Sequence, residues 1–228
     1  QRAAGGAGAE GRMSDRPSAG PLPSRPVIPS GDRSTGRASE GLRLRDGLVV
    51  AAHGRHCMVE TDDGSRLLCH GRGKKTEVVV GDRVRWQPAG DEGVIEQVAP
   101  RRNLLFRQDE WKTKSFAANL DQLLVLVAVE PMYAETQLAR ALIASAHAGI
   151  PAVIVLNKVD LPALEAARQR LAPYAAMGVQ VLELSLKRDG EAARAALAPL
   201  LAGRATLVLG PSGMGKSTLI NLMVPEAA

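Results

Sequence analysis

The residues best placed for chemistry are Gly210-Pro211-Ser212-Gly213-Met214-Gly215-Lys216-Ser217-Thr218. They have the form G-x-x-x-x-G-K-S, entered from the apolar run Thr206 to Leu209 and followed by Leu219, Ile220 and Leu222. Each part suits a polyphosphate. Glycines let the backbone curl until successive N–H groups point inward. A helix opening at Lys216 adds its unsatisfied N–H groups and the positive end of its dipole. Lys216 would reach the outer phosphates, and the Ser217 hydroxyl would hold a Mg²⁺ that bridges them. A chance glycine-rich turn is the bland alternative, and the strand before the loop and the apolar helix after it weigh against that. The stretch implies a bound nucleoside triphosphate.

A second constellation, Asn157-Lys158-Val159-Asp160, follows directly on an apolar strand ending at Leu156. Loops at the carboxyl ends of parallel strands are where such sheets bind ligands. N-K-x-D suits guanine: the Asp160 carboxylate would accept from N1–H and the exocyclic amine, while the stem of Lys158 covers the base. Asn157 would tie neighbouring loops together. Adenine offers an acceptor at N1 and no such amine, so it would leave the carboxylate unpaired. Ser185-Leu186-Lys187, after a strand ending at Leu184, would add a backbone contact to the base.

The order of the two motifs is inverted. In ordinary GTPases the phosphate loop comes first, whereas here Asn157 precedes Gly210. A circular permutation accounts for this, with Ala202-Gly203-Arg204 joining ends that are free elsewhere. The switch segments would then follow the phosphate loop.

Strand–helix alternation positions both loops. Strands are expected at Leu123–Val129, Ala152–Leu156, Val179–Leu184 and Thr206–Leu209. Helices are expected at Thr136–His147, with Leu138, Leu142 and Ile143 on the apolar side, and at Leu164–Met177 and Glu191–Leu201. That pattern makes a parallel sheet with helices on both faces. Before it, Leu48–Ala52, Cys57–Thr61, Arg66–Cys69, Glu77–Val80, Arg83–Trp86 and Gly93–Val98 have the texture of short strands, with a hairpin turn at Asp62-Asp63-Gly64. They fit a small barrel such as the oligonucleotide-binding fold, with an SH3-like barrel as the alternative. Arg66, Arg72, Lys74, Lys75, Arg83 and Arg85 would make one face basic and able to meet RNA phosphates, unless it is only a solvated face. Aromatic residues make up 3% of the chain, so contact with folded RNA through backbone and shape is favoured over base stacking. The spacing of His53, His56, Cys57, Cys69 and His70 matches no common zinc site.

The resulting layout is a disordered tail over 1–42, a barrel over 43–102, a polar and basic linker over 103–120, and the permuted domain over 121–228. The tail is rich in Gly, Ala, Ser, Pro and Arg and lacks apolar periodicity. A chain of 228 residues that is 45% hydrophobic and 23% charged fits one or two soluble domains. Its net charge of +5 is a mild signal for an anionic partner. The run Leu123–Val129 is too short to cross a membrane. There is no basic-then-apolar leader, and two cysteines fit a reducing cytosol. The chain starts at Gln1 and stops soon after the phosphate loop, so it reads as a piece of something longer.

Together these motifs resemble the circularly permuted, small-ribosomal-subunit-dependent GTPase A family of bacteria. The resemblance runs over about 44–226 and rests on Gly81-Asp82-Arg83-Val84, Ala117-Ala118-Asn119-Leu120-Asp121-Gln122, Asn157 to Asp160 and Gly210 to Thr218. It implies an oligonucleotide-binding barrel and a GTPase domain acting in late maturation of the small ribosomal subunit. GTP and Mg²⁺ would be bound, the small subunit and its rRNA would be partners, and the protein would be a cytoplasmic monomer. Family members continue with two switch segments, a D-x-P-G magnesium motif and a zinc-binding C-terminal domain, so no catalytic residue is assigned here. In an ordinary GTPase sheet the phosphate-loop strand has a neighbour on each side, so Thr206–Leu209 is expected at an open edge. The residues alone leave two alternatives: a P-loop ATPase or kinase, and an RNA-binding module with a regulatory nucleotide site.

Overall fold

A computed structural model describes residues 44–73, 77–108 and 113–224. The expected tail over 1–42 lies outside the described residues, as do Lys74 and Lys75. Strands β1 (Arg45–His53), β2 (His56–Glu60), β3 (Arg66–Gly71), β4 (Arg83–Ala89) and β5 (Glu92–Val98) close a barrel in the order β1-β2-β3-β5-β4. Alternation along β4 explains its seat: Val84 and Trp86 point into the core while Arg83 and Arg85 point out. Val49, Val59, Ile95 and the two cysteines complete that core.

Glu77–Val80, expected as a strand, forms none. It makes only the bridge from Val80 to Ala117. The amide of Val79 donates to the Asp82 carboxylate at 2.9 Å, so a side chain takes the place of a ladder partner. Asp82 is fully buried and also receives Arg101. Removing one partner of such a buried pair costs about 3–5 kcal/mol.

The segment expected as a linker contains an antiparallel hairpin, β6 (Leu104–Gln108) and β7 (Thr113–Ala118). Its inner residues Leu105 and Ala117 join the core of the domain that follows, and Phe106 meets His147 edge-on at 6.1 Å between ring centres.

Beyond it come β8 (Gln122–Ala128), α1 (Glu135–His147), β9 (Ala152–Asn157), α2 (Leu164–Ala176), β10 (Gln180–Leu184), α3 (Gly190–Leu201), β11 (Thr206–Leu209) and α4 (Lys216–Met223). The strands pair in parallel in the order β10-β9-β8-β11. Every residue of β8 is buried, as a central parallel strand requires. Fully burying leucines such as Leu123, Leu124 and Leu126 contributes roughly 1.5–3 kcal/mol apiece. β11 is only half-buried and, among the described residues, pairs with β8 alone, which puts it at the sheet edge as expected. On α1 the expected apolar side is narrower than anticipated: Leu138 is buried but Ile143 is 68% exposed. Leu142 lies one turn on from Leu138, whereas a spacing of five carries Ile143 round the helix. No helix among the described residues is long and apolar enough to cross a membrane.

Candidate nucleotide site

The carboxyl ends of β9, β10 and β11 release three loops into one cleft of about 560 Å³. Asn157, Lys158 and Asp160 line it from the first loop, Ser185, Leu186 and Lys187 from the second, and Ser212, Gly213 and Gly215 to Thr218 from the third. The other motif residues face elsewhere. Met214 is buried in the core, Gly210 and Pro211 line a separate hollow beside α1, and the Val159 amide donates to Leu184 O at 3.3 Å.

Asn157 is the pin between the loops. It is 3% exposed; its Nδ2 donates to Met214 O at 2.8 Å, and its Oδ1 accepts from the Leu186 amide at 3.0 Å. Its place at the end of β9, against a parallel partner, fixes this reach. Gly215 makes room for it: a Cβ there would stand 2.4 Å from Asn157 Nδ2, and its φ of +105° is one that L side chains rarely adopt.

Lys158 takes a φ of +61° and its Nζ donates to Glu130 O at 2.7 Å, which lays its stem along the cleft wall. Ser185 Oγ donates to Asp160 Oδ1 at 2.6 Å. That hydrogen bond, helped by the nearby charge of Arg188, holds the Asp160 carboxyl below the usual carboxylate range. Asp160 is therefore an ionised acceptor at neutral pH. Lys216 Nζ donates to Gly210 O and Pro211 O, each at 2.7 Å, so the lysine arches over its own loop. The Ser217 hydroxyl is exposed in the first turn of α4 and lines the cleft. One neutral oxygen suits a cation whose other ligands are phosphate and water.

Sequence reasoning missed two participants, the Glu130 carbonyl and Arg188. Arg188 directly follows Ser185-Leu186-Lys187, so extending that triplet by one residue would have found it. The Glu130 carbonyl has no sequence signal.

A cleft of about 620 Å³ also opens on the barrel, beside His56, His70 and Glu92. There His70 is paired with Glu92 at 3.2 Å. Cys57 and Cys69 pair across β2 and β3 on the inner face, while His56 and His70 pair at the next position, on the other face. Burial pushes both thiols up, Cys69 to about 11. On the outer face, Arg83 and Arg85 are exposed, Arg66 meets Glu60 at 2.8 Å, and Arg72 pairs with Glu96.

A closed barrel followed by a parallel sheet whose N-K-x-D loop precedes its phosphate loop defines a circularly permuted P-loop GTPase fold. The family model described as RsgA GTPase matches residues 98–228. A small ribosomal subunit biogenesis GTPase RsgA of Variovorax paradoxus (strain S110) is 62% identical over 193 residues, covering 84% of this chain and 61% of the relative. Its counterpart in Burkholderia pseudomallei (strain K96243) is 52% identical over 208 residues, covering 90% of this chain and 63% of that one. The crystal structure of YjeQ from Thermotoga maritima aligns with a TM-score of 0.62 at 31% identity, over 80% of this chain and 66% of that chain. YloQ, whose structure is titled a circularly permuted GTPase, shares the fold at TM-score 0.59 and 24% identity, over 84% and 68% of the two chains. The chain belongs to the RsgA GTPase family. It spans 61% and 63% of the lengths of the two curated relatives.

Proposed function

We propose that this protein binds GTP with Mg²⁺ in the cleft between the three loops and hydrolyses it during biogenesis of the bacterial small ribosomal subunit. Asp160 reads the guanine edge, Lys158 covers the base, and Ser185, Leu186 and Lys187 close over it. Gly210 to Thr218 wrap the phosphates, and Ser217 contributes one ligand to the Mg²⁺. The barrel meets ribosomal RNA through exposed arginines on β4, and the protein works as a cytoplasmic monomer. The observation that carries the reading is Asn157, which bonds the N-K-x-D loop to both other loops at once. Guanine offers an ionised carboxylate two adjacent donors, N1–H and the exocyclic amine, whereas adenine offers one amine beside an acceptor at N1.

The test has two arms. A fluorescent GTP analogue bound to the full-length protein should be displaced by excess GTP and not by excess ATP. Turnover should then rise when purified small subunits are added. Displacement by ATP would assign the site to an adenine nucleotide. Turnover indifferent to subunits would leave a nucleotide-regulated RNA-binding module.

A further inference from the structure

The lining of the nucleotide cleft includes the cationic side chains Lys158, Lys187, Arg188 and Lys216. Two of them are held by backbone oxygens. Lys158 Nζ donates to Glu130 O at 2.7 Å, and Lys216 Nζ to Gly210 O and Pro211 O, each at 2.7 Å. Arg188 is exposed, and among the described residues its guanidinium makes no hydrogen bond. Its charge nevertheless reaches the Asp160 carboxyl, which puts it at the base end of the cleft. The loop that carries it is a closed turn. The Asp189 amide donates to Ser185 O at 2.8 Å, and the Asp189 side chain accepts the Ala192 amide at 3.2 Å where α3 begins. Ser185 Oγ also holds Asp160 Oδ1 at 2.6 Å, so Arg188 leaves the same short turn that steadies the carboxylate.

Guanine presents three groups along one edge: the exocyclic amine and N1–H, which donate, and O6, which accepts. Asp160 answers the two donors and can do nothing for the acceptor. A site that reads the whole edge needs a donor beside that carboxylate. The backbone donor expected from Ser185-Leu186-Lys187 is partly spent, because the Leu186 amide donates to Asn157 Oδ1 at 3.0 Å. Asn157 is 3% exposed and tied to Met214 O at its other end, so it has no freedom to release that amide. Arg188 has its donors to spare. They form a planar fork, whereas a lysine offers only a point charge. The same fork on O6 and N7 of guanine is the commonest base-specific contact in DNA recognition.

We propose that Arg188 is a specificity-determining residue that donates to O6 of the bound guanine, beside the two donors read by Asp160. The inference rests on the function proposed above and extends its reading of the base: a carboxylate for the donors, a guanidinium for the acceptor. Adenine, with an amine at C6, sets donor against donor there.

The test measures the affinity of the full-length protein at neutral pH for GTP and for thioguanosine triphosphate. The thio compound keeps N1–H and the amine and carries a weakly accepting sulfur in place of O6. The variants are Arg188→Met, which keeps the length of the side chain and loses its donors, and Arg188→Lys, which keeps the charge and a donor. Arg188 is exposed on a turn, so neither change takes packing from the core. Wild type should prefer GTP over the thio compound by about tenfold or more. In Arg188→Met that ratio should fall to near one, and Arg188→Lys should restore part of it. Inosine triphosphate, which lacks only the amine, should stay disfavoured by the same factor in all three proteins, because Asp160 reads that group. If Arg188→Met weakened GTP and the thio compound equally, the guanidinium would act only as a charge, and the inference would be overturned. An undiminished preference in Arg188→Met would overturn it too, by giving O6 to a backbone amide. Wild type that bound both compounds alike, yet preferred GTP to ATP, would end this inference and leave the proposed function standing. Wild type that bound ATP as well as GTP would remove both.

Discussion

Asp160 stands on a hydroxyl from another loop, and this decides its behaviour in acid. Ser185 and then Arg188 hold its carboxyl below the ordinary carboxylate value. For a group depressed in the folded protein, the contribution is complete above the ordinary value and is lost as the pH falls through the lowered one. GTP affinity should therefore stay flat from about pH 8 to about pH 5 and decline only in stronger acid. Asp160→Asn should weaken GTP binding by at least about tenfold and favour xanthosine triphosphate, because an amide can donate to the carbonyl that replaces the guanine amine. Titration of both nucleotides against wild type and variant checks this; a variant that still prefers GTP would show that Asp160 does not read the base. At this scale the chemistry was legible because each motif is local: Asn157 as a tie between loops follows from its type and place. Arg188 and the Glu130 carbonyl were not, since their roles depend on which loops the sheet brings together.

Elements were legible where apolar periodicity was unbroken. Thr206–Leu209 was placed with its observed bounds, and β8 and β9 within a residue at each end. The hairpin β6–β7 was hidden because its apolar residues, Leu104 to Phe106 and Phe116 to Ala118, flank a charged and polar stretch that dominates the composition. Glu77–Val80 erred the other way: its residues suit a strand, but Asp82 takes the Val79 amide. The basic face changes in a similar manner: Arg66 and Arg72 have acidic partners, while alternation along β4 turns Arg83 and Arg85 outward, Arg85 standing 3.9 Å from Asp46. Arg83→Glu with Arg85→Glu should therefore weaken small-subunit binding and flatten its log–log salt dependence by about 0.7–0.9 for each phosphate no longer neutralised. GTP affinity should not change. Sedimentation with subunits across a salt series measures this, and identical curves for wild type and variant would take β4 out of the interface.

At the scale of the whole molecule, the sheet has an outer strand on each flank among the described residues, β10 paired with β9 alone and β11 paired with β8 alone. β10 is a short outer strand, whereas β11 carries the phosphate loop and presents half-buried Leu207, Val208 and Leu209 with an unpaired edge among the described residues. Open edges with apolar residues favour pairing between molecules. The two curated relatives are longer than the part this chain matches, which is 61% and 63% of them. Ser217, the hydroxyl proposed for Mg²⁺, shares the cleft lining with one carboxylate, Asp160, which the proposed function gives to the base edge. We therefore expect the 228-residue chain, expressed alone, to bind GTP weakly, to self-associate and to show no subunit-stimulated turnover. The full-length Variovorax relative should bind GTP tightly, remain monomeric and respond to subunits under the same conditions. Light scattering, GTP titration and turnover with and without subunits, run side by side, separate the two. If the 228-residue chain turned over GTP faster on adding subunits, the group that positions the attacking water would have to lie within these residues.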